Sequence, residues 1–327
     1  MTVTDPNMTL SDTPEPIHVG FLLIDGFALL PYASVVEPLR AANRLSGRRL
    51  YRWSHVSPDG APVMASCDVR FAVQGGPGAD SSFDLLLVCA GGNPAQFDHA
   101  PTFAWLRQLA RRGVVIGGVS GGPYLLARAQ LLAGYRVTIH WDHAAALLED
   151  YPDLDLKRSL YEIDRDRLTC AGGIAPLDMM HALIAQAHGP DLAMAVSEWF
   201  LQTQVREGAG PQRMPLRARL GITHEPLLRV IGRMEAAIEQ PLPLDELARG
   251  AGVSPRQFER LFRQHLGCSP GAHYLALRLE HGRKLLRQTS LSVMETALAC
   301  GFMSASHFSR CYRRRFGQPP RSDRAAG

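Results

Sequence analysis

One pattern near the C-terminus constrains this chain most, because it occurs twice, about fifty residues apart. The first copy reads LPLDELARGAGVSPRQFERLFRQHLGCSP, from Leu242 to Pro270, and the second reads LSVMETALACGFMSASHFSRCYRRRFGQPP, from Leu291 to Pro320. Ala248, Gly252, Phe258, Phe262, Gly267 and Pro270 match Ala297, Gly301, Phe308, Tyr312, Gly317 and Pro320. Each copy predicts a short helix, a glycine turn and a second helix studded with polar and basic groups. Gly252 and Gly301 stand where the first helix must stop, in a left-handed backbone that only glycine adopts cheaply. Ser254 and Ser304 stand where the second helix needs an N-cap. Phe258 with Phe262, and Phe308 with Tyr312, recur at i, i+4 and bury one face as core.

The opposite face carries the chemistry. In copy one it offers Ser254, Arg256, Gln257, Arg260 and Arg263. In copy two it offers Ser304, Ser306, His307, Ser309, Arg310, Arg313 and Arg314. Two such helices suit two segments of a DNA major groove, with the early residues at base edges. Arg pairs with guanine and Gln with adenine, while the later arginines suit phosphates. Arg260 has a second option, an ion pair with Glu259 or Glu280. The copies differ, since copy two has one more residue between Gly301 and Phe308 and carries the run Arg313–Arg315. Asymmetric reading of a promoter half-site is therefore expected.

Charge divides the chain in the same place. Residues 213–327 carry 19 basic and 9 acidic side chains, a net of +10, while residues 1–212 carry 16 and 22, a net of −6. One module for a polyanion and another for something else follow from that split. At 327 residues, with 46% hydrophobic residues, two or three domains with real cores are expected. No apolar run is long enough to span a bilayer. Residues 1–16 lack the features of a signal peptide and read as a disordered tail. The six cysteines have no paired spacing, and Cys89 and Cys170 read as buried thiols, which fits a reduced cytoplasm.

Residues 17–205 alternate strand and helix. Strands are expected at 17–24, 50–57, 69–73, 84–92, 114–120 and from 136. Helices are expected at 34–46, 101–113, after 120, at 174–189 and at 191–205. That order implies a doubly wound α/β sheet, mostly parallel, with helices on both faces. Residues 206–224 are rich in Gly, Pro and Arg and read as a linker. Residues 225–323 are all helical, with a lead helix at 225–240, a long helix at 274–289 and the helix-turn-helix segments at about 242–265 and 291–315.

GGVSGG, 117–122, is the sharpest chemical signal in the first domain. Gly118-Val119-Ser120-Gly121-Gly122 fits the G-x-S-x-G elbow, in which a strand turns into a helix and exposes the serine. His140 could serve as base, Glu37 as orienting acid, and Gly91 with Gly92 as an oxyanion pocket. A serine hydrolase is one reading. In the other, Ser120 lines a binding pocket or caps the following helix. No metal site is expected, because the histidines lack ligand spacing. No P-loop or other cofactor motif is present either.

Residues 220–322, through PLPLDELARGAGVSPRQFERLFRQHLGCSP and ACGFMSASHFSRCYRRRFGQPP, resemble the AraC/XylS family of transcription regulators. That resemblance implies two helix-turn-helix units joined by a long helix, promoter DNA as partner, and contact with RNA polymerase. Residues 17–204 resemble the PfpI/ThiJ branch of class I glutamine amidotransferase-like folds, which are flavodoxin-like. There a cysteine sits at the elbow and a glutamate after strand one hydrogen-bonds it. Here Glu37 matches the glutamate, but Ser120 replaces the cysteine, which puts thiol chemistry aside and leaves a pocket. The fusion is the arrangement of GlxA-like regulators. VVEPLRAANRLSG, VTIHWDH and RLTCAGG look close to regulators of arginine, glycine betaine and carnitine catabolism. The resemblance implies an amine or amino acid as effector, with Glu37, Gly92, Ser120, His140 and Trp141 as ligand-binding residues and Tyr32 as a further aromatic wall. The expected protein is a cytoplasmic activator and not an enzyme. Its alternative is a Ser-dependent hydrolase or amidotransferase carrying a DNA-binding domain. The apolar faces of helices 174–189 and 191–205 suit either a homodimer interface or internal packing.

Overall fold

The computed structural model describes residues 15–78 and 82–324, and the expected tail at 1–16 falls outside them but for its last two residues. The chain divides into two compact units, Met1–Gln212 and Arg213–Gly327.

The first unit opens with β1 (Ile17–Leu23), α1 (Leu29–Ser46) and β2 (Tyr51–Val56). A short antiparallel pair follows, β3 (Val63–Met64) with β4 (Arg70–Phe71). Next come β5 (Leu85–Ala90), α2 (Ala100–Arg111), β6 (Val115–Ser120) and α3 (Gly122–Arg128). Then β7 (Arg136–Val137), α4 (Ala144–Asp150) and β8 (Asp155–Leu156) form, with β7 and β8 paired apart from the main sheet. The unit closes with β9 (Tyr161–Asp164), β10 (Arg167–Cys170), α5 (Ala175–His188) and α6 (Pro190–Trp199). The main sheet runs β2-β1-β5-β6-β10-β9. Its pairings are parallel except that of β9 with β10.

The apolar runs are continuous because both faces of the sheet are covered. Val19, Phe21 and Leu23 of β1, with Leu85, Leu87 and Cys89 of β5, enter a core shared with residues of α1, α5 and α6. Leu22, Leu86, Val88 and Ala90 point the other way, into a core shared with α2 and α3. Cys89 and Cys170 are buried, and burial pushes both thiols up to about 12.

The strand expected from 136 is only Arg136–Val137 and pairs with β8 outside the main sheet, and further bounds differ as well. The strand expected at 69–73 shrinks to Arg70–Phe71 and lies outside the main sheet. Helix α1 begins five residues before position 34, because its N-cap is Ala28, which makes no side-chain cap bond that the sequence could signal. The helix expected at 191–205 ends at Trp199, and Leu201 follows in the left-handed region at φ 55. The boundary between the two units falls within the expected linker, residues 206–224, whose first part is bonded to the first unit. The Arg206 backbone N–H, Nε and Nη2 donate to the buried Asp178 carboxylate at 2.8, 3.0 and 2.6 Å. Gln212 Nε2 donates to Thr138 Oγ1, Ile139 O and Ser159 O at 3.0, 2.9 and 2.7 Å. Buried acceptors in the first unit thus hold a stretch whose composition suggested looseness. Beyond it, α7 (Leu216–Leu220) forms, and Leu216, Leu220 and Ile222 join the core of the second unit.

The second unit continues with α8 (Glu225–Ala236), α9 (Leu244–Gly250), α10 (Pro255–Leu266) and α11 (Pro270–Gln288). It ends with α12 (Val293–Ala299), α13 (Ala305–Phe316) and α14 (Pro320–Arg324). Leu227, Ile231 and Met234 of α8 pack on Leu247, Ala248, Phe258 and Phe262 of the first helix pair. Around the second pair the buried residues include Leu285, Ala297, Phe302, Phe308 and Tyr312. Asp323 ties its end together. Its buried carboxylate accepts from Tyr312 Oη at 2.6 Å, Arg283 Nε at 3.2 Å and Arg287 Nε at 3.1 Å. Burial alone would raise its pKa, but bonds from Tyr312, Arg287 and Gln318 hold it down to about 2.

Candidate nucleic-acid interface and candidate ligand site

Helices α10 and α13 are built alike. Ser254 caps α10 by accepting from the Gln257 N–H at 3.3 Å, and Ser304 caps α13 by accepting from the His307 N–H at 3.3 Å. Gly252 and Gly301 take φ of 70 and 72, the left-handed turn that separates each helix pair. From the caps onward, each residue of the second copy stands fifty positions after its counterpart. Phe258, Phe262, Phe308 and Tyr312 are buried, so the remaining positions form one open stripe per helix. Ser254, Arg256, Gln257, Arg260 and Arg263 are exposed on α10 and its cap. Ser304, Ser306, His307, Arg310, Arg313 and Arg314 are exposed on α13 and its cap, with Ser309 half-buried at the edge. The structure brings every expected interface residue of each copy onto one face. Gln264, exposed at the position matched by Arg314, belongs to the same stripe. The fifty-residue spacing pointed to it, but its place late in the helix hid it.

Partners sort these residues further. Glu259 pairs with Arg263 at 3.2 Å and Glu280 with Arg315 at 3.3 Å, so neither is taken by Arg260. Among the described residues Arg256, Arg260, Arg310, Arg313 and Arg314 make no ion pair, which leaves their guanidinium groups for an anion or a base edge. Gln257 differs from expectation. Its Oε1 accepts from the Ser254 N–H and Oγ–H, both at 3.0 Å, completing a capping box. A bidentate contact to adenine needs that oxygen, so Gln257 as seen here is a capping residue. His307, at the matching position of α13, packs its ring on Phe302 at 5.5 Å and closes no such box.

The long helix α11 holds the second turn in place. Arg278 Nε and Nη2 donate to the carbonyls of Cys300 and Gly301, each at 2.7 Å, and the guanidinium lies 4.2 Å from the centre of the Phe302 ring. These carbonyls lie at and just past the end of α12, where no intrahelical partner is available. A Cβ on Gly282 would fall 2.9 Å from the Phe308 ring, so glycine there lets α11 and α13 approach.

The elbow of the first unit is a close-packed turn. Ser120 ends β6 at φ 61 and is 8% exposed. A Cβ on Gly122 would lie 2.0 Å from the Val88 carbonyl oxygen, and one on Gly172 would lie 2.9 Å from Ser120 Cβ. His140 donates its backbone N–H to the Ser120 carbonyl at 3.4 Å. Its Nδ1 accepts the Asp142 N–H at 3.2 Å. The proton of the neutral ring therefore sits on Nε2. A serine-activating base needs the reverse, with Nδ1–H held by an acid and Nε2 open to the hydroxyl. Trp141 is 38% exposed, with its ring 5.3 Å from that of His140.

Two expected ligand residues lie elsewhere. Leu30, Ala33, Glu37, Arg40 and Arg44 follow the outward stripe of α1, while Tyr32, Val35 and Leu39 face the core. Glu37 Oε2 accepts from Arg40 Nε and Nη2 at 2.8 and 2.6 Å instead of serving the elbow. Gly92 is exposed at φ 58 and lines a separate cleft of about 630 Å³ with Asp25, Asp59, Pro94 and Phe97. Ser120, His140 and Trp141 are not among its walls. Tyr32, the further aromatic wall, is core: its ring packs among Phe21, Phe27 and Phe71, and its hydroxyl bonds His55 Nε2 at 2.6 Å. Among the described residues no group of three or more His, Cys, Asp or Glu is placed to hold a metal ion, and no helix is long and apolar enough to cross a membrane.

Residues 18–186 match the DJ-1/PfpI family, and residues 247–326 match a helix-turn-helix domain. The HTH-type transcriptional regulator CdhR of Pseudomonas aeruginosa is 47% identical over 93% of this chain and 90% of its own length. The HTH-type transcriptional regulator GlxA of Rhizobium meliloti is 45% identical over 95% of this chain and 97% of its own. A solved AraC family transcriptional regulator from Pseudomonas putida superposes with a TM-score of 0.52 at 27% identity, covering 57% of this chain and 100% of its own.

Proposed function

The chain belongs to the DJ-1/PfpI family, among the HTH-type transcriptional regulators that add a helix-turn-helix domain to it, and from that premise we propose a sequence-specific DNA-binding regulator of transcription. One observation carries the proposal. Two capped helices present matched polar and basic stripes, fifty residues apart, on buried aromatic seams. Binding-site selection from random duplexes tests it. Arg256→Ala and His307→Ala should each shift the selected sequence, at about 1–3 kcal/mol per lost base contact. If both variants select the wild-type sequence, the reading fails.

The finer parts of the proposal concern partners. The first unit senses a small amine or amino acid, the second binds the promoter, and RNA polymerase is engaged once DNA is bound. A homodimer through α5 and α6 is included, supported by the exposed Met194 and Trp199. We infer binding, not turnover, at Ser120, because the Asp142 N–H keeps His140 in the wrong tautomer for a base. Loss of a measurable ester or amide turnover in Ser120→Ala, with DNA binding intact, would favour the enzyme instead.

A further inference from the structure

A groove of about 730 Å³ runs beside the second recognition helix, between α13, the start of α12 and the start of α14. Met294, Pro319 and Pro320 give it an apolar floor, and Ser309, Arg313 and Arg321 give it polar edges. Among the described residues no carboxylate lines it. Arg313 and Arg321 are exposed and make no ion pair among the described residues. A DNA strand offers the complement of this surface. Its phosphates are anionic, and the deoxyribose rings between them are largely apolar.

We propose that this groove seats the sugar–phosphate backbone of one DNA strand, with Arg313 and Arg321 as its two cations. The inference rests on the DNA-binding reading above and adds a division of labour to it. The same positions in the first copy cannot do this. Asp245 stands where copy two has Met294, Glu259 where it has Ser309, and Gly271 where it has Arg321. Glu259 also neutralises Arg263, the counterpart of Arg313, at 3.2 Å. The second copy thus adds this backbone contact to its base-facing stripe, while the first copy lacks it and relies on Arg256 and Arg260.

Phosphate contacts are indifferent to sequence, so a random-sequence duplex serves as probe. The full chain is titrated with it across a KCl series. Arg321→Ala should lower the slope of log K against log salt by about 0.9, the effect of one phosphate contact. Gly271→Arg should raise it by a similar amount, more so when combined with Glu259→Ser. A Cβ at Gly271 meets only Leu244 at an ordinary 3.7 Å, so that variant fits the fold. An unchanged slope in both Arg321→Ala and Gly271→Arg overturns the groove assignment while leaving DNA binding intact. Absence of any salt-dependent binding by the wild type overturns the DNA-binding reading itself.

Discussion

Ser120 holds a backbone conformation that glycine adopts freely and serine does not, at φ 61. The strain is worth about 1–2 kcal/mol, and the packed turn around it bears the cost. Ser120→Gly should therefore raise stability by about 1 kcal/mol in a urea titration. A loss of stability would mean that the hydroxyl makes a compensating contact. The pattern GVSGG announced this turn, because a Cβ on Gly118 would fall 2.6 Å from the Pro123 nitrogen and one on Gly122 would fall 2.0 Å from the Val88 carbonyl oxygen. The partners of Ser120 were not legible. Glu37 matches an orienting acid by position after β1, yet helical phase turns it outward toward Arg40. Position after β1 sets no direction for a side chain; the stripe Tyr32, Val35 and Leu39 does, and it leaves Glu37 off the core face. Gln257 shows the same limit at one residue: its type suits adenine, but its place three after Ser254 suits a capping box.

At the scale of elements, the repeat was read well because each boundary carries its own chemistry. Ser254, Ser292 and Ser304 cap helices, and Gly252 and Gly301 end turns, by short-range rules. The β9–β10 hairpin went unread, because Arg165 takes its left-handed turn position at φ 55 where glycine or asparagine would have signalled it. Asp323 was also silent in sequence, since Tyr312, Arg287 and Arg283, which donate to it, lie 11, 36 and 40 residues away. Its folded pKa is depressed to about 2, against about 4 for a free aspartate. The stability it confers is thus full above pH 4 and lost as pH falls from about 4 to about 2. Thermal melts of the full chain should show that loss in the second unit, and Asp323→Asn should remove the pH dependence while costing about 1–3 kcal/mol. A wild-type profile flat through this window would contradict the assignment. Gly282→Val should cost about 1–3 kcal/mol by pushing α11 from Phe308, and an unchanged melting temperature would argue against that close contact.

On the scale of the whole molecule, a net of −6 on residues 1–212 and +10 on residues 213–327 separates an acidic unit, for which sensing is proposed, from a basic DNA-binding one. A thermal-shift screen of methylated amines and amino acids against the full chain addresses the first. A true effector at a hundredfold excess over its Kd should add about 2.7 kcal/mol of stability. Absence of a shift from every amine and amino acid would remove the effector class proposed here. Sequence alone determined the class of both units, the position of the elbow and the two exposed polar and basic stripes, because those rest on periodicity, caps and glycine turns that act over a few residues. Tertiary structure alone decided which of those residues remain available. It assigned Glu37 to Arg40, Gln257 to Ser254 and Glu259 to Arg263, anchored Arg206 and Gln212 to the first unit, and set Arg321 and Arg313 in the walls of one groove. Those outcomes depend on helical phase or on which distant donor and acceptor meet, and spacing along the chain left both open.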